Sequence, residues 1–100
     1  MKFHKIKVNQ HFVDQAIVRA GITEPKATEL FYNLVRILNR ADRHDYIKKV
    51  ITVGNNRTLY MFMHNKDKTG YFIADNLKKR PITYVTKEMA NRLKKENENG

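Results

Sequence analysis

The sequence predicts an α+β domain, with two helices packed on a mostly antiparallel sheet in the order β-α-α-β-β-β-α. Three observations lead there. Apolar residues recur at helical period through residues 10–38, the period changes to two from Tyr46, and turn residues mark the changes. One hundred residues, 41% of them hydrophobic, suffice for one core and one domain, placed at residues 1–97 with a disordered tail at 98–100.

Each element has its own signal. Residues 2–8, KFHKIKV, alternate as a short strand with His4, Ile6 and Val8 on one side. Asn9 is placed to cap a helix from Gln10, whose stripe is Phe12, Val13, Ala16, Ile17 and Ala20 and whose end is Gly21. Thr23 is expected to cap a second helix, with Glu24 and Pro25 in its first turn, where proline loses no hydrogen bond. Ala27, Leu30, Phe31, Leu34, Val35 and Leu38 form its apolar stripe. YIKKVITV, RTLYMFMH and YFIAD then read as an antiparallel meander, joined by Gly54-Asn55-Asn56 and by NKDKTG. Ile47, Ile51, Val53, Leu59, Met61 and Ile73 are its expected inward residues. NLKKRPITYV reads as a basic segment broken by Pro81, and the tail as a short helix through Val85, Met89 and Leu93.

Charge narrows the function. Twenty Lys+Arg against ten Asp+Glu give a formal net charge of +10, a field that attracts polyanions. Nucleic acid is the first partner this suggests, an anionic membrane surface the second, and simple solubility the third. No cysteine is present, so disulfides, thiolate metal sites and cysteine nucleophiles are excluded. The four histidines, His4, His11, His44 and His64, stand at no metal-ligand spacing, and no cofactor motif appears. No long apolar run or signal peptide appears either, so a cytoplasmic protein without a membrane partner is expected.

Histidine, tyrosine, lysine and arginine are what a metal-independent ribonuclease needs. The 2′-hydroxyl of RNA is an internal nucleophile, so the protein has only to move protons and stabilise charge on phosphate. His11 lies on the first turn of the first helix, opposite the apolar stripe, with Gln15 one turn on. The position suits either a proton acceptor beside an anion or an exposed histidine with no role. Tyr32 stands off the second stripe in a column with Arg36, Arg40 and Arg43, which reads as a solvated face or as a phosphate-tracking edge. Lys78, Lys79 and Arg80, with Tyr84 following, form a basic run beside an aromatic residue; Lys48 and Arg57 are further candidate RNA contacts on the strands.

The stretch FHKIKVNQHFVDQAIVRAGITEPKATELFYNL, residues 3–34, resembles the RegB-like endoribonucleases of T-even phages. The likeness lies in a Phe-His opening, Gln-His before an apolar helix with Asp-x-Ala-Ile, a following Arg, and Glu-Leu-Phe early in the second helix. It continues more loosely through VITVGNNRTLYMFM and YFIADNLKKRP. Those enzymes group with the RelE-type messenger RNA interferases, whose layout is β-α-α-β-β-β. The resemblance implies cleavage of messenger RNA within purine-rich initiation sequences in a bacterial host's cytoplasm. A ribosomal helper and an antitoxin are partners it allows. It sets His11 on one catalytic histidine, Tyr32 on the second, and Gln15 on an active-site arginine. Tyrosine is a poor base at neutral pH, and glutamine keeps a hydrogen bond to phosphate without the charge. Tyr84 is a further candidate acid at the leaving oxygen, while Lys79 and Arg80 would hold the phosphate. Two other readings stay open: a catalytically silent RNA-binding relative, and a small phage or plasmid protein that inhibits a host enzyme.

Overall fold

The computed structural model describes residues 6–98. Asn9 has extended backbone and accepts a hydrogen bond on its side chain from the Phe12 amide at 3.3 Å, which starts helix α1, Gln10–Ala20. Gly21 ends it in the left-handed region, φ 69°, with its amide bonded to the Ile17 carbonyl. Helix α2, Glu24–Leu38, follows; Thr23 precedes it with extended backbone but makes no side-chain cap. A single 3₁₀ turn, Arg43–Asp45, leads into the sheet.

Four antiparallel strands follow in spatial order: β1 (Ile47–Gly54), β2 (Arg57–Asn65), β3 (Lys68–Asp75) and β4 (Arg80–Val85). The Asn55-Asn56 turn uses a left-handed Asn56, φ 59°, a conformation asparagine tolerates better than most residues. Its carbonyl accepts from the Asn76 amide at 2.7 Å, and the Asn76 side chain exchanges hydrogen bonds with buried Thr58. Helix α3, Lys87–Glu98, is opened by Thr86, whose hydroxyl accepts from the Met89 amide at 3.2 Å. The helix includes Glu98, the first residue of the expected tail; residues 99–100 lie outside the described residues.

The α+β class and both long helices are as expected, and four further details differ. Val85, expected in the last helix, ends strand β4 instead. Residues 2–5 of the expected first strand lie outside the described residues, and Ile6, Lys7 and Val8 are irregular chain. Ile6 and Val8 pack on the helices, and the Ile6 carbonyl accepts from the Tyr32 hydroxyl at 3.0 Å. The basic segment around Pro81 is instead the edge strand β4. Proline, without an amide donor, is tolerated there because the register shifts beside it, between Ile73 and Ala74. Finally, the sheet is covered on both faces. One face buries Ile47, Tyr60, Phe62, Phe72, Ala74 and Tyr84 against α1 and α2. The other gathers Leu59, Val85, Val50, Ile51, Val53 and Ile73 against Ala90, Met89 and Leu93 of α3. Of the expected inward residues, only Ile47 therefore belongs to the larger core.

Candidate functional site

Helix α1 lies along β4, and α2 packs on α1 and crosses toward β4. Between α2 and the far ends of β2 and β3 a groove of about 640 Å³ remains open. Its apolar wall is Leu30, Leu34 and Ile37 of α2, and Phe62 and His64 of β2 face them. Lys26, Arg36, Arg40 and Lys68 bring positive charge to it, against one carboxylate, Glu29.

His64 occupies the centre of this arrangement for a local reason. The two-residue period of β2 puts it in phase with Tyr60 and Phe62, so it points to the face covered by α1 and α2. Its ring tilts against Phe62 at a centroid distance of 4.7 Å. Its Nε2 lies 2.8 Å from the Tyr84 hydroxyl, two strands away on β4. The reach across β3 is possible because residue 70 is glycine. A Cβ there would stand 2.6 Å from Phe62 and 2.8 Å from His64 Nε2.

The electrostatics follow from this packing. Burial, with the Lys68 charge adding to it, holds the His64 imidazole below its ordinary value. Burial alone raises the Tyr84 phenol, so both partners are neutral near pH 7. Lys68 Nζ donates to the Ala20 carbonyl at 2.5 Å, at the C-terminal end of α1 where a cation is favoured. Arg19 Nη1 donates to the Tyr84 carbonyl at 2.6 Å and Asn9 Nδ2 to the Ile82 carbonyl at 3.4 Å; both join α1 to β4. Arg40 pairs with Asp42 at 2.7 and 2.9 Å and lies over the Tyr46 ring at 5.1 Å. The pair raises the guanidinium and lowers the carboxyl, and it leaves Arg36 as the less neutralised arginine of the groove.

The expected catalytic residues are not gathered in one place. His11 is exposed on the first turn of α1 and does not line the groove. Gln15, expected beside it on the open side, is half-buried, with its carbonyl oxygen enclosed and without a hydrogen-bond partner among the described residues. Tyr32, expected off the packed stripe, is half-buried edge-on to Phe31 and bonded to Ile6. Only Tyr84 connects to the groove, and it does so through His64. The column from Tyr32 is broken as well: α2 ends at Leu38, so Arg36 and Arg40 share the groove while Arg43 lies on the 3₁₀ turn.

Of the expected RNA contacts, Lys48 is exposed on β1, beside neither hollow. Arg57, Lys78 and Arg80 line a smaller second hollow of about 280 Å³. Lys79 stands next to it in left-handed backbone, φ 54°, and its carbonyl accepts from Asn39 Nδ2 at 3.3 Å. Sequence reasoning does not reach His64, Lys68 or Lys26, although the alternation Tyr60, Phe62, His64 carries the signal for the first. Among the described residues no three His, Cys, Asp or Glu side chains converge as metal ligands, and no helix is long and apolar enough to cross a membrane. Comparison with models of protein families, with curated proteins and with solved structures finds no match.

Proposed function

We propose that this protein is a metal-independent endoribonuclease of RelE/RegB-like fold that cleaves messenger RNA in the groove between α2 and the sheet. The observation that carries the reading is the His64–Tyr84 pair, 2.8 Å apart, beside a groove edged by Lys26, Arg36 and Lys68. The resemblance of residues 3–34 to RegB-like enzymes supports it, as does the order helix, helix, strand, strand, strand from α1 to β3.

The chemistry is a transesterification. With Nε2–H donating to the Tyr84 oxygen, Nδ1 of neutral His64 accepts the proton of the ribose 2′-hydroxyl. The 2′-oxygen forms a bond to phosphorus as the bond to the 5′-oxygen breaks. That oxygen takes a proton from water, and the hydroxide so formed takes back the proton held on His64, leaving a 2′,3′-cyclic phosphate, a 5′-hydroxyl and neutral His64. The cations stabilise the charge gathered on the phosphate oxygens in the transition state. His64 thereby takes the part that the resemblance gave to His11, since His11 touches none of the groove. A silent RNA-binding relative is the second reading, favoured by Tyr32 and Gln15 at positions where RegB-like enzymes carry charged or titrating groups.

Incubating the protein with purine-rich RNA in EDTA separates the readings. Cleavage with cyclic-phosphate ends that disappears in His64→Ala supports the enzyme. Retention without cleavage supports the binder, and neither result leaves a host-enzyme inhibitor.

A further inference from the structure

The second hollow lies at the opposite end of the sheet from His64 and shares no lining residue with the groove. It is built on a cross-strand row: Arg57 is the register partner of Asp75, and Asp75 of Arg80. Such a row would ordinarily neutralise part of its own charge. Here the Asp75 carboxylate is engaged by its own turn and accepts the amides of Leu77 at 2.9 Å and Lys78 at 3.2 Å. Asp75 itself lines the hollow, and these amides, helped by the Lys78 and Arg57 charges, hold its carboxyl low. Four cations, Lys7, Arg57, Lys78 and Arg80, nevertheless stand against that one carboxylate, and among the described residues the only ion pair within contact distance is Arg40 with Asp42. Like charges held this close repel, and a bound oxyanion removes the repulsion.

The backbone that carries the exposed cations is held in place. The Lys79 amide donates to the Asp75 carbonyl at 2.8 Å, and the Asn76 amide donates to Asn56 at 2.7 Å, fixing the turn that carries Lys78 to the start of β2. Arg57 and Arg80 start from strands two apart, roughly 10 Å between backbones. Two guanidinium forks at that spacing can close from opposite sides on a group with oxygens in several directions, as phosphate has and carboxylate lacks. About 280 Å³ is at the small end for ligand sites, room for a phosphate with part of a ribose.

We propose that this hollow is a second nucleic-acid contact, an oxyanion pocket that holds one phosphate group of an RNA strand away from the groove. Only the identity of the ligand rests on the RNA reading above. Arg57 and His64 are separated by roughly 23 Å along β2, so a strand that fills both sites must span several nucleotides.

The test is an amide chemical-shift titration at low salt. The probes are inorganic phosphate, then 2′-O-methyl tetranucleotides with and without a 5′-phosphate, which lack the nucleophilic hydroxyl. Phosphate should saturate a shift confined to Arg57 and residues 78–80 and leave Lys26, Arg36 and His64 unmoved. Arg57→Gln with Arg80→Gln should weaken that binding about tenfold or more, as removal of charged hydrogen bonds predicts. Saturation of the hollow by both oligonucleotides assigns an internal phosphate, and by the phosphorylated one alone a terminal phosphate. Either supports the site even if the groove never cleaves RNA. The proposal is overturned by equal shifts at every basic residue or by none. It is overturned equally by oligonucleotides that move only groove amides, or by a glutamate-rich peptide that saturates the hollow when phosphate does not.

Discussion

Gly70→Ala tests the geometry that joins His64 to Tyr84. A methyl group at residue 70 would stand 2.6 and 2.7 Å from two ring carbons of Phe62 and 2.8 Å from His64 Nε2, each well inside van der Waals contact. The obstructing atoms belong to a buried phenylalanine and a half-buried histidine, so neither swings freely into solvent. Overpacking of this kind costs about 1–3 kcal/mol. Against it stands a gain of about 0.4–1 kcal/mol, because alanine restricts the unfolded chain more than glycine. The net expectation is a loss of about 1–2 kcal/mol, which for a domain of this size lowers Tm by roughly 4–8 °C per kcal/mol. Urea unfolding at pH 7.5 measures the loss, and a histidine titration by NMR measures the second effect. The displaced imidazole should be better solvated, so its pKa should rise toward the ordinary value of about 6.5. Phe62→Leu in the Gly70→Ala background should recover part of the stability, since the two sites are in contact. Wild-type stability together with an unchanged His64 titration would refute the cradle.

Other expectations follow from the same contacts. His64→Ala should lower RNA cleavage by about 10²–10⁴, the usual contribution of a general base, while His11→Ala leaves the rate unchanged; the opposite pattern in a cleavage assay would return the role to His11. Folding stability should fall as pH drops below about 6.5, because the unfolded chain takes up a proton that the depressed His64 refuses, and should level off below the folded pKa; His64→Gln should flatten that limb in urea midpoints against pH. At the alkaline end the raised Tyr84 has the opposite sign, with stability lost as pH rises above about 10 and the loss absent in Tyr84→Phe. Replacing Lys26, Arg36 and Lys68 together by alanine should reduce the log–log salt slope of single-strand RNA binding by roughly 0.7 for each phosphate no longer neutralised; an unchanged slope would place RNA elsewhere.

What could be read from the chain was local. Asn9 and Gly21 bound α1 because a side-chain acceptor and a left-handed residue do their work within a few residues of themselves. The stripe from Ala27 to Leu38 reads as a helix because α2 is covered on one side only. The sheet was harder. Leu59 and Tyr60 are adjacent in sequence and buried on opposite faces, so alternation could not say which face was inside until α3 was placed. Strand β4 was hidden by Pro81 and three basic residues, whose tolerance depends on an irregular register with β3. The His64–Tyr84 contact lay furthest from view. It needs the phase of β2, the register of β3, an absent side chain at residue 70 and the position of β4 all at once.

The attachment of α1 to β4 also governs how this sheet meets other chains. An uncovered edge strand offers a row of unpaired carbonyls and amides on which a foreign strand can align. Asn9 and Arg19 occupy the Ile82 and Tyr84 carbonyls, and α1 lies along that margin, so an incoming strand would first have to pry the helix away. The opposite margin, β1, carries two register irregularities and the exposed neighbours Lys48 and Lys49. Bulges twist an edge out of line, and edge lysines would be buried or set against like charges by a second copy. Both borders of the sheet thus resist templating, and the domain should stay dispersed at concentrations where a bare four-stranded sheet would begin to grow by addition.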